Sequence, residues 1–537
     1  MEPRQTGYQS IGNASQASGS SIPHRGQSPD DLETISAAYQ VLFYIKSSAS
    51  FQQLLDSLPP ATPGFLMKPL VCSFLAYFTQ LQSHTFLGQV STWGFDTVER
   101  VFRNSKVSPR WLANDIGPDG HTRQDLDDQD CLRWDAIGIV YATVALSLTV
   151  RNGSSGFDSD VSRRDSRARE TILKDLTHAV NTCIRFQEMT GTKTELYLWL
   201  LIQDIILLIR IYGGKSRRVW RRLGDIGNVL FTIGLHKPSL RNQVITVMHI
   251  RQQLFLTAYT LDKTITTLAN RPPRIPRQYC MDLDNIILAF QAADGISLYI
   301  STRLSHSLSS PASLIEKVSF VMSIVREDAH VARSTLHDSP EGSTPENMSR
   351  LLKGVWQSLK ISCSVQPENW QIQRLPHQGY ILLIAYLEYL YTQVYIWKHL
   401  LPGQLYTLGD MCRITLETTI CGVQSLGSLE EYRSDYAWRL ALYGLPTAKI
   451  LASLSLTHSE QVSQTTRRSN SFGQGTVISE LNTFFSCIRT VVQPNDAHYT
   501  DFQQTQQMIN ASLAQAADPG ITLSYPPSYE STTLPTL

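Results

Sequence analysis

The sequence predicts an all-α fold: a large multi-helix body with a disordered N-terminal leader and a disordered C-terminal tail. Apolar residues recur at helical spacing from about residue 31 to residue 457, and no stretch sustains the alternation that is typical of a strand. Hydrophobic residues make up 42% of the 537 residues, which is enough for a large buried core. The polar sequence at both ends lacks any such pattern, which indicates disorder there.

This pattern divides the chain into consecutive segments. A polar gap at residues 152–169, rich in Ser, Asp and Arg, predicts a surface loop within the helical body. A second gap at 337–349 contains two prolines and predicts a boundary between two packed lobes. In order, the predicted segments are the leader at 1–30, the helical body at 31–457, a linker at 458–475, C-terminal helices at 476–515 and the tail at 516–537.

The charge balance and the cysteines exclude several classes of protein. Lys and Arg number 47 against 46 Asp and Glu, so the net charge of +1 is too small for a histone-like protein that binds DNA through bulk positive charge. The eight cysteines are scattered and form no Cys-x-x-Cys pair, which favours buried, reduced thiols over a disulfide scaffold or a metal site. We therefore expect no cofactor and no bound zinc.

Two apolar runs resemble membrane spans in length but contain charged residues. The run Leu196–Tyr212 contains Asp204 and Arg210, and the run Tyr380–Trp397 contains Glu388. Charges within such short runs favour buried core helices over membrane spans. Because the first thirty residues also lack the apolar run of a secretory signal, we expect a soluble intracellular protein without a membrane partner.

Two further helices are predicted in detail. The first covers Arg217–Ile233, with Trp220 on a buried apolar face, and Gly234 ends it because glycine adopts the left-handed conformation readily. The second covers Val247–Leu268, and the following Asn270–Pro273 segment stops it because proline disfavours helix in the residue before it. The predicted buried stripe of the second helix is Leu254, Phe255, Ala258, Leu261, Ile265 and Leu268.

Around these two helices the sequence resembles the regulatory middle region of fungal transcription factors. The family pattern has a W-x3-G segment followed by Gly-Leu-His, then an aromatic-x3-Tyr-x2-Asp run and a G-R-P-x-x-I turn. An earlier segment beginning at Arg133 looks like the family's R-W-E-x-x-G helix. The residues that carry the resemblance are Trp134, Gly138, Trp220, Gly224, Gly234, Leu235, His236, Phe255, Tyr259, Asp262, Arg271 and Pro272.

The sequence departs from this family in two places. Asn270 replaces the usual glycine, and asparagine is the next-best residue for a left-handed turn. The binuclear zinc cluster, which needs six cysteines in one short run, is missing. The resemblance therefore implies a nuclear transcriptional regulator, typical of metabolic gene clusters, without a recognisable DNA-reading module.

The resemblance also implies partners and an alternative function. It implies an effector cavity between helices, dimerisation, and contact with the transcription machinery or a DNA-binding partner, with weak or absent DNA binding by this chain alone. The alternative is an interaction partner of a complete zinc-cluster factor, or a chain truncated at its N-terminus. A helical enzyme ranks last, because the sequence contains neither HExxH nor GxSxG.

Two short motifs have a functional and a purely structural interpretation. The first is a basic cluster formed by Lys215, Arg217, Arg218, Arg221 and Arg222. It is interpreted mainly as a solvated helix face and alternatively as a nuclear import signal or a phosphate contact. The second is the tail segment Pro526, Pro527 and Tyr529, which spells a WW-domain ligand and is more simply a chance spelling. Asp125–Asp128 spells the acid motif of a terpene cyclase, but its polar surroundings argue against that chemistry.

Overall fold

Helices are the only regular elements in the part of the chain that the structure describes, which confirms the all-α prediction. The structure is a computed structural model, and the leader to residue 28, the 337–349 gap and residues 518–537 lie outside the described part. The described residues are 29–56, 68–86, 95–109, 131–150, 159–237, 245–280, 322–323, 326, 353, 376–400, 405–425, 432–462, 474–494 and 496–517.

The α-helices within the described residues fall into two groups along the chain, one before and one after residue 300. The first nine are α1 Pro29–Phe43, α2 Ser48–Asp56, α3 Lys68–Phe86, α4 Phe95–Ser105, α5 Trp134–Val150, α6 Ser159–Thr190, α7 Glu195–Tyr212, α8 Arg217–Thr232 and α9 Ile245–Ala269. The later ones are α10 Pro376–Leu400, α11 Leu405–Ser425, α12 Arg433–Arg439, α13 Leu445–Val462, α14 Gln474–Val491 and α15 Tyr499–Ala517. A π-helical turn, Leu440–Gly444, joins α12 to α13.

Helices α5 and α7 form the centre of the core. Nearly every residue of both helices is buried, which is the pattern of a helix surrounded by protein. They pack against each other and against α6 so closely that a Cβ on Gly138 would lie 2.8 Å from Leu200 and 3.0 Å from Cys183. The run Leu196–Tyr212 is therefore a core helix, as predicted.

Helix α7 begins at a conventional cap. The hydroxyl oxygen of Thr194 accepts a hydrogen bond from the backbone N–H of Tyr197, which satisfies one of the free donors of the first turn. No helix among the described residues is long and apolar enough to cross a membrane. The second apolar run, Tyr380–Trp397, lies within α10, where Leu387 and Val394 are fully buried.

The prediction of a loop at 152–169 is wrong from Ser159 onward, where α6 begins. The described side chains of α6 from Arg167 to Asp175 are exposed or half-buried, and the buried stripe starts only at Leu176. Further along, the ion pair of Lys174 with Glu170 links successive turns, an arrangement that stabilises a solvated helix. Helix α13 likewise continues to Val462, into the predicted linker, and α14 begins at Gln474.

Candidate functional site

Residues of the family motif meet at one junction, formed by α8, α9 and the loop at residues 270–276. The carboxylate of Asp262, buried on α9, accepts hydrogen bonds from the backbone N–H groups of Arg274 at 2.8 Å and Ile275 at 3.1 Å. Burial raises the pKa of Asp262, although Lys263 and the two backbone N–H groups oppose the rise. Asp262 therefore fastens the loop to α9.

Lys263 completes this attachment from the next position of α9. Its ammonium group donates to the carbonyl oxygen of Ile275 at 2.6 Å and lies 3.2 Å from the carboxylate of Asp262. The same ammonium lies 4.5 Å from the centre of the buried Tyr259 ring, which in turn packs against Phe255. These contacts give the aromatic-x3-Tyr-x2-Asp run a structural role.

The indole of Trp220 lies on the α8 side of the junction. The guanidinium groups of Arg271 and Arg274 lie 4.8 Å and 4.5 Å from its ring centre, within the range of cation–π attraction. The prediction of a buried Trp220 ring is wrong, because the side chain is only half-buried. The residue is at the edge of the apolar stripe, next to the loop, and Arg271 and Pro272 are exposed.

The two predicted helix ends have the same hydrogen-bonded form. Gly234 has a φ of 77°, and the N–H of Leu235 reaches back to the carbonyl oxygen of Leu230 at 3.2 Å. Asn270 has a φ of 51°, and the N–H of Arg271 reaches the carbonyl oxygen of Thr266 at 3.0 Å. Both are Schellman motifs, so asparagine performs here the role of the family's glycine.

His236 and Gly224 have less specific surroundings. The His236 ring packs against Phe231 at 4.9 Å, and burial together with Lys237 lowers its pKa. Its Nδ1 has no hydrogen-bond partner among the described residues, so the expected cap hydrogen bond does not form through that atom. A Cβ on Gly224 would meet no described atom within 4 Å, whereas one on Gly227 would lie 3.5 Å from the carbonyl oxygen of Arg274.

The earlier motif segment builds a second buried group, which we call the α5 cluster: Arg133, Asp135 and Thr194. The Arg133 guanidinium binds both carboxylate oxygens of Asp135, at 3.0 Å and 3.2 Å, and also donates to the carbonyls of Asn104 and Val107. The hydroxyl of Thr194 lies 3.2 Å from Asp135. The neighbouring Trp134 ring is fully buried and packs against aromatic rings of α4 and α6.

The basic cluster divides into exposed and paired residues. Arg217, Arg218 and Arg221 are exposed on the side of α8 opposite its apolar face, as predicted. Arg222 lies 2.6 Å from the buried carboxylate of Asp204 and also binds Asp225. Lys215 forms a looser, 3.4 Å pair with Asp501 of α15, and Arg218 covers the ring of Tyr212 at 4.3 Å.

A third group of polar residues, which the sequence analysis did not predict, lies where α7, α10, α12 and the π turn meet. We call it the α12 cluster. Arg210 and Tyr380 both donate to the carboxylate of Asp435, Tyr380 at 2.6 Å. Arg326 and Tyr443 both donate to the carboxylate of Glu388, Arg326 at 2.8 Å. The cluster consists of Arg210, Arg326, Tyr380, Glu388, Asp435, Arg439 and Tyr443.

The α12 cluster keeps its charges in the interior. Burial alone would raise the pKa of Asp435, but Arg439 and Arg210 hold it below its ordinary value. Burial likewise opposes the charge of Arg439, yet Asp435 and other neighbours raise its pKa. The sequence signal for this cluster was a charge within an apolar run, as at Arg210 and Glu388, but the signal does not reveal their partners.

Comparisons of the chain with models of protein families, with curated proteins and with solved structures found no match. Among the described residues, no group of three or more His, Cys, Asp or Glu side chains has the arrangement of a metal site. Asp125–Asp128 and the tail motif of Pro526, Pro527 and Tyr529 lie outside the described residues. The candidate sites are therefore the motif junction, the exposed basic face of α8 and the α12 cluster.

Proposed function

We propose that this chain is the helical body of a fungal-type transcriptional regulator, acting in the nucleus and not as an enzyme. The single observation that carries the proposal is the motif junction: Trp220, Asp262 and Arg271, which the resemblance picks out, contribute to one contact between α8, α9 and the following loop. The resemblance rests on the order and spacing of these residues in the sequence. Their shared structural role at the junction supports it further.

In this proposal the body regulates transcription through a partner. The 537 residues contain no run of six cysteines for a zinc cluster and have almost no net charge, so this chain supplies little affinity for DNA by itself. It acts on the transcription machinery, or on a complete zinc-cluster factor. A metabolic gene cluster is the proposed target.

The proposal is tested by tethering the full chain to a heterologous DNA-binding domain in a yeast reporter strain. We expect the fusion to change reporter transcription relative to the DNA-binding domain alone. Asp262→Ala, which releases the loop at residues 270–276, should abolish the change, and the exposed α4 substitution Asp96→Ala should preserve it. An expressed wild-type fusion that leaves the reporter unchanged would refute the proposal.

Nuclear location is tested separately by imaging a fluorescent fusion of the full chain. Replacing the exposed α8 residues Arg217, Arg218 and Arg221 with Gln should shift the protein to the cytoplasm. The matched control replaces three exposed cations elsewhere, Arg103, Lys174 and Arg489, with Gln. Equal distribution of both triple variants would rule out the basic face as an import signal.

A further inference from the structure

The α12 cluster contains more positive than negative charge. Three guanidinium groups, those of Arg210, Arg326 and Arg439, share two carboxylates, those of Asp435 and Glu388. Each of the five side chains is at most 10% exposed. With both carboxylates ionised, the described part of the cluster has one positive charge too many, and an uncompensated charge in a protein interior is strongly unfavourable.

The surplus is clearest around Asp435. Its carboxylate faces two guanidinium groups, with Arg439 3.5 Å away, and also accepts from the hydroxyl of Tyr380. Arg210 donates a hydrogen bond to this carboxylate, whereas Arg439 is only loosely paired with it, and one carboxylate cannot balance both guanidinium groups. An arginine has five N–H donors, and the Nη1 of Arg210 is buried with no hydrogen-bond partner among the described residues.

Three other atoms without a described hydrogen-bond partner lie in the same part of the interior, namely the Nε atoms of Arg326 and Arg439 and the Nε2 of His498. The Nε of Arg326 is buried without a hydrogen-bond partner in the described part of the chain. The same holds for the Nε2 of His498, whose ring packs on Trp438 at 5.2 Å and whose pKa is lowered partly by the charge of Arg210. Leaving the buried guanidinium donors unsatisfied costs free energy that a bound acceptor would recover.

The backbone beside the cluster is also irregular. The π turn Leu440–Gly444 directly follows Arg439 and contains Tyr443, whose hydroxyl donates to Glu388. Single π-helical turns inside α-helices occur frequently at functional sites, because they redirect side chains at a cost in helix stability. The irregular turn and the unpaired donors are independent observations that lie at the same place.

We propose that the α12 cluster binds the oxyanion group of a small molecule, a carboxylate or a phosphate, through the free guanidinium nitrogen of Arg210. The planar fork of arginine matches the oxygens of either group, and such charge-assisted hydrogen bonds are among the strongest in proteins. The bound anion neutralises the third arginine. This inference does not depend on the proposed function, because it concerns binding by the purified chain alone.

The test is thermal unfolding of the purified full chain in sodium chloride, sodium acetate or sodium phosphate at matched ionic strength. We expect acetate, phosphate or both to raise Tm above its value in chloride in a saturable manner, by on the order of 1–3 °C. A response to acetate alone identifies a carboxylate ligand, and a response to phosphate alone a phosphate ligand. No rise over chloride with either anion would overturn the proposal.

Because phosphate also stabilises proteins by exclusion from their surfaces, the deciding quantity is the response of a variant. Arg210→Met makes the cluster neutral and should lose the saturable part of the rise. Arg251→Met, which removes a partly buried arginine paired with Glu195 at 3.5 Å, should keep it. Arg210→Lys keeps the positive charge but lacks the planar guanidinium, so we expect a smaller saturable rise in Tm. This variant provides the test even where Arg210→Met folds poorly. Responses of both Arg210 variants equal to that of the wild type would disprove the site.

Discussion

The α5 cluster and the α12 cluster are both buried ion clusters, but they differ in charge balance. In the α5 cluster one arginine binds one aspartate through two hydrogen bonds, and its remaining donors reach backbone carbonyls. In the α12 cluster three arginines share two carboxylates, and nitrogen atoms of Arg210 and Arg326 have no hydrogen-bond partner among the described residues. Burial alone therefore does not distinguish a structural ion pair from a binding site, whereas the balance of positive and negative charges does.

The largest expected effect comes from removing one arginine from each cluster. Arg133→Met leaves Asp135 as an uncompensated buried charge, so we expect a loss of about 3–5 kcal/mol of unfolding free energy. Arg210→Met leaves Asp435 with Arg439 and Tyr380, so we expect a loss below about 1 kcal/mol. Urea unfolding in chloride buffer measures both, and equal losses would remove the distinction between the two clusters.

The second expected effect is an acid sensitivity of the region around the α12 cluster. The pKa of His498 is lowered to about 4, mainly by burial and further by Arg210 and Lys215, while Asp501 opposes the shift. Because the unfolded chain binds this proton near pH 6.5 and the folded chain does not, stability is lost as pH falls from about 6.5 to 4. The full loss is on the order of 3 kcal/mol.

This acid sensitivity is measured by thermal unfolding across that pH range in two variants. His498→Phe keeps a ring against Trp438 and should flatten the dependence of stability on pH. The control His178→Phe changes an exposed residue of α6 and should leave the dependence as in the wild type. An unaltered pH profile in His498→Phe would place the acid sensitivity elsewhere in the chain.

The third comparison concerns close packing around single glycines in the two regions. A Cβ on Gly214 would lie 2.7 Å from the rigid indole of Trp438, and one on Gly138 would lie 2.8 Å from the flexible end of Leu200. We expect Gly138→Ala to cost about 1–3 kcal/mol and Gly214→Ala to cost more, because an indole yields less than a leucine methyl group. The control Gly224→Ala, in open surroundings on a helix, should stabilise the fold by up to about 1 kcal/mol.

Local features were predictable from the sequence, and distant pairings were not. The start of α8 at Arg217 and the left-handed residues Gly234 and Asn270 were predicted because each depends on a few neighbouring residues. The first turns of α6 were mistaken for a loop, since a run of polar residues is compatible with a helix as well as with a loop. The α12 cluster could not be predicted, because Arg210 and Asp435 are 225 positions apart.

In the candidate site, the sequence likewise did not predict which groups single side chains contact. The motif around Trp220 and Asp262 indicated a structural unit, but not that a carboxylate would hold the backbone of the next loop. Arg222 looked like one member of a basic cluster, yet it is the partner of the buried Asp204. In each case the missing information was which element packs against which, and that depends on the whole core.

The π turn Leu440–Gly444 has a consequence for the rod formed by α12, the turn and α13. A π turn contains about one residue more than an α-helical turn, and one residue corresponds to about 100° of rotation. The faces before and after the turn are therefore out of phase: α12 packs against α5 and α14, while α13 packs against α11 and α15 and also against α14. Deleting one residue of the turn would leave two good helices whose buried faces no longer match their neighbours.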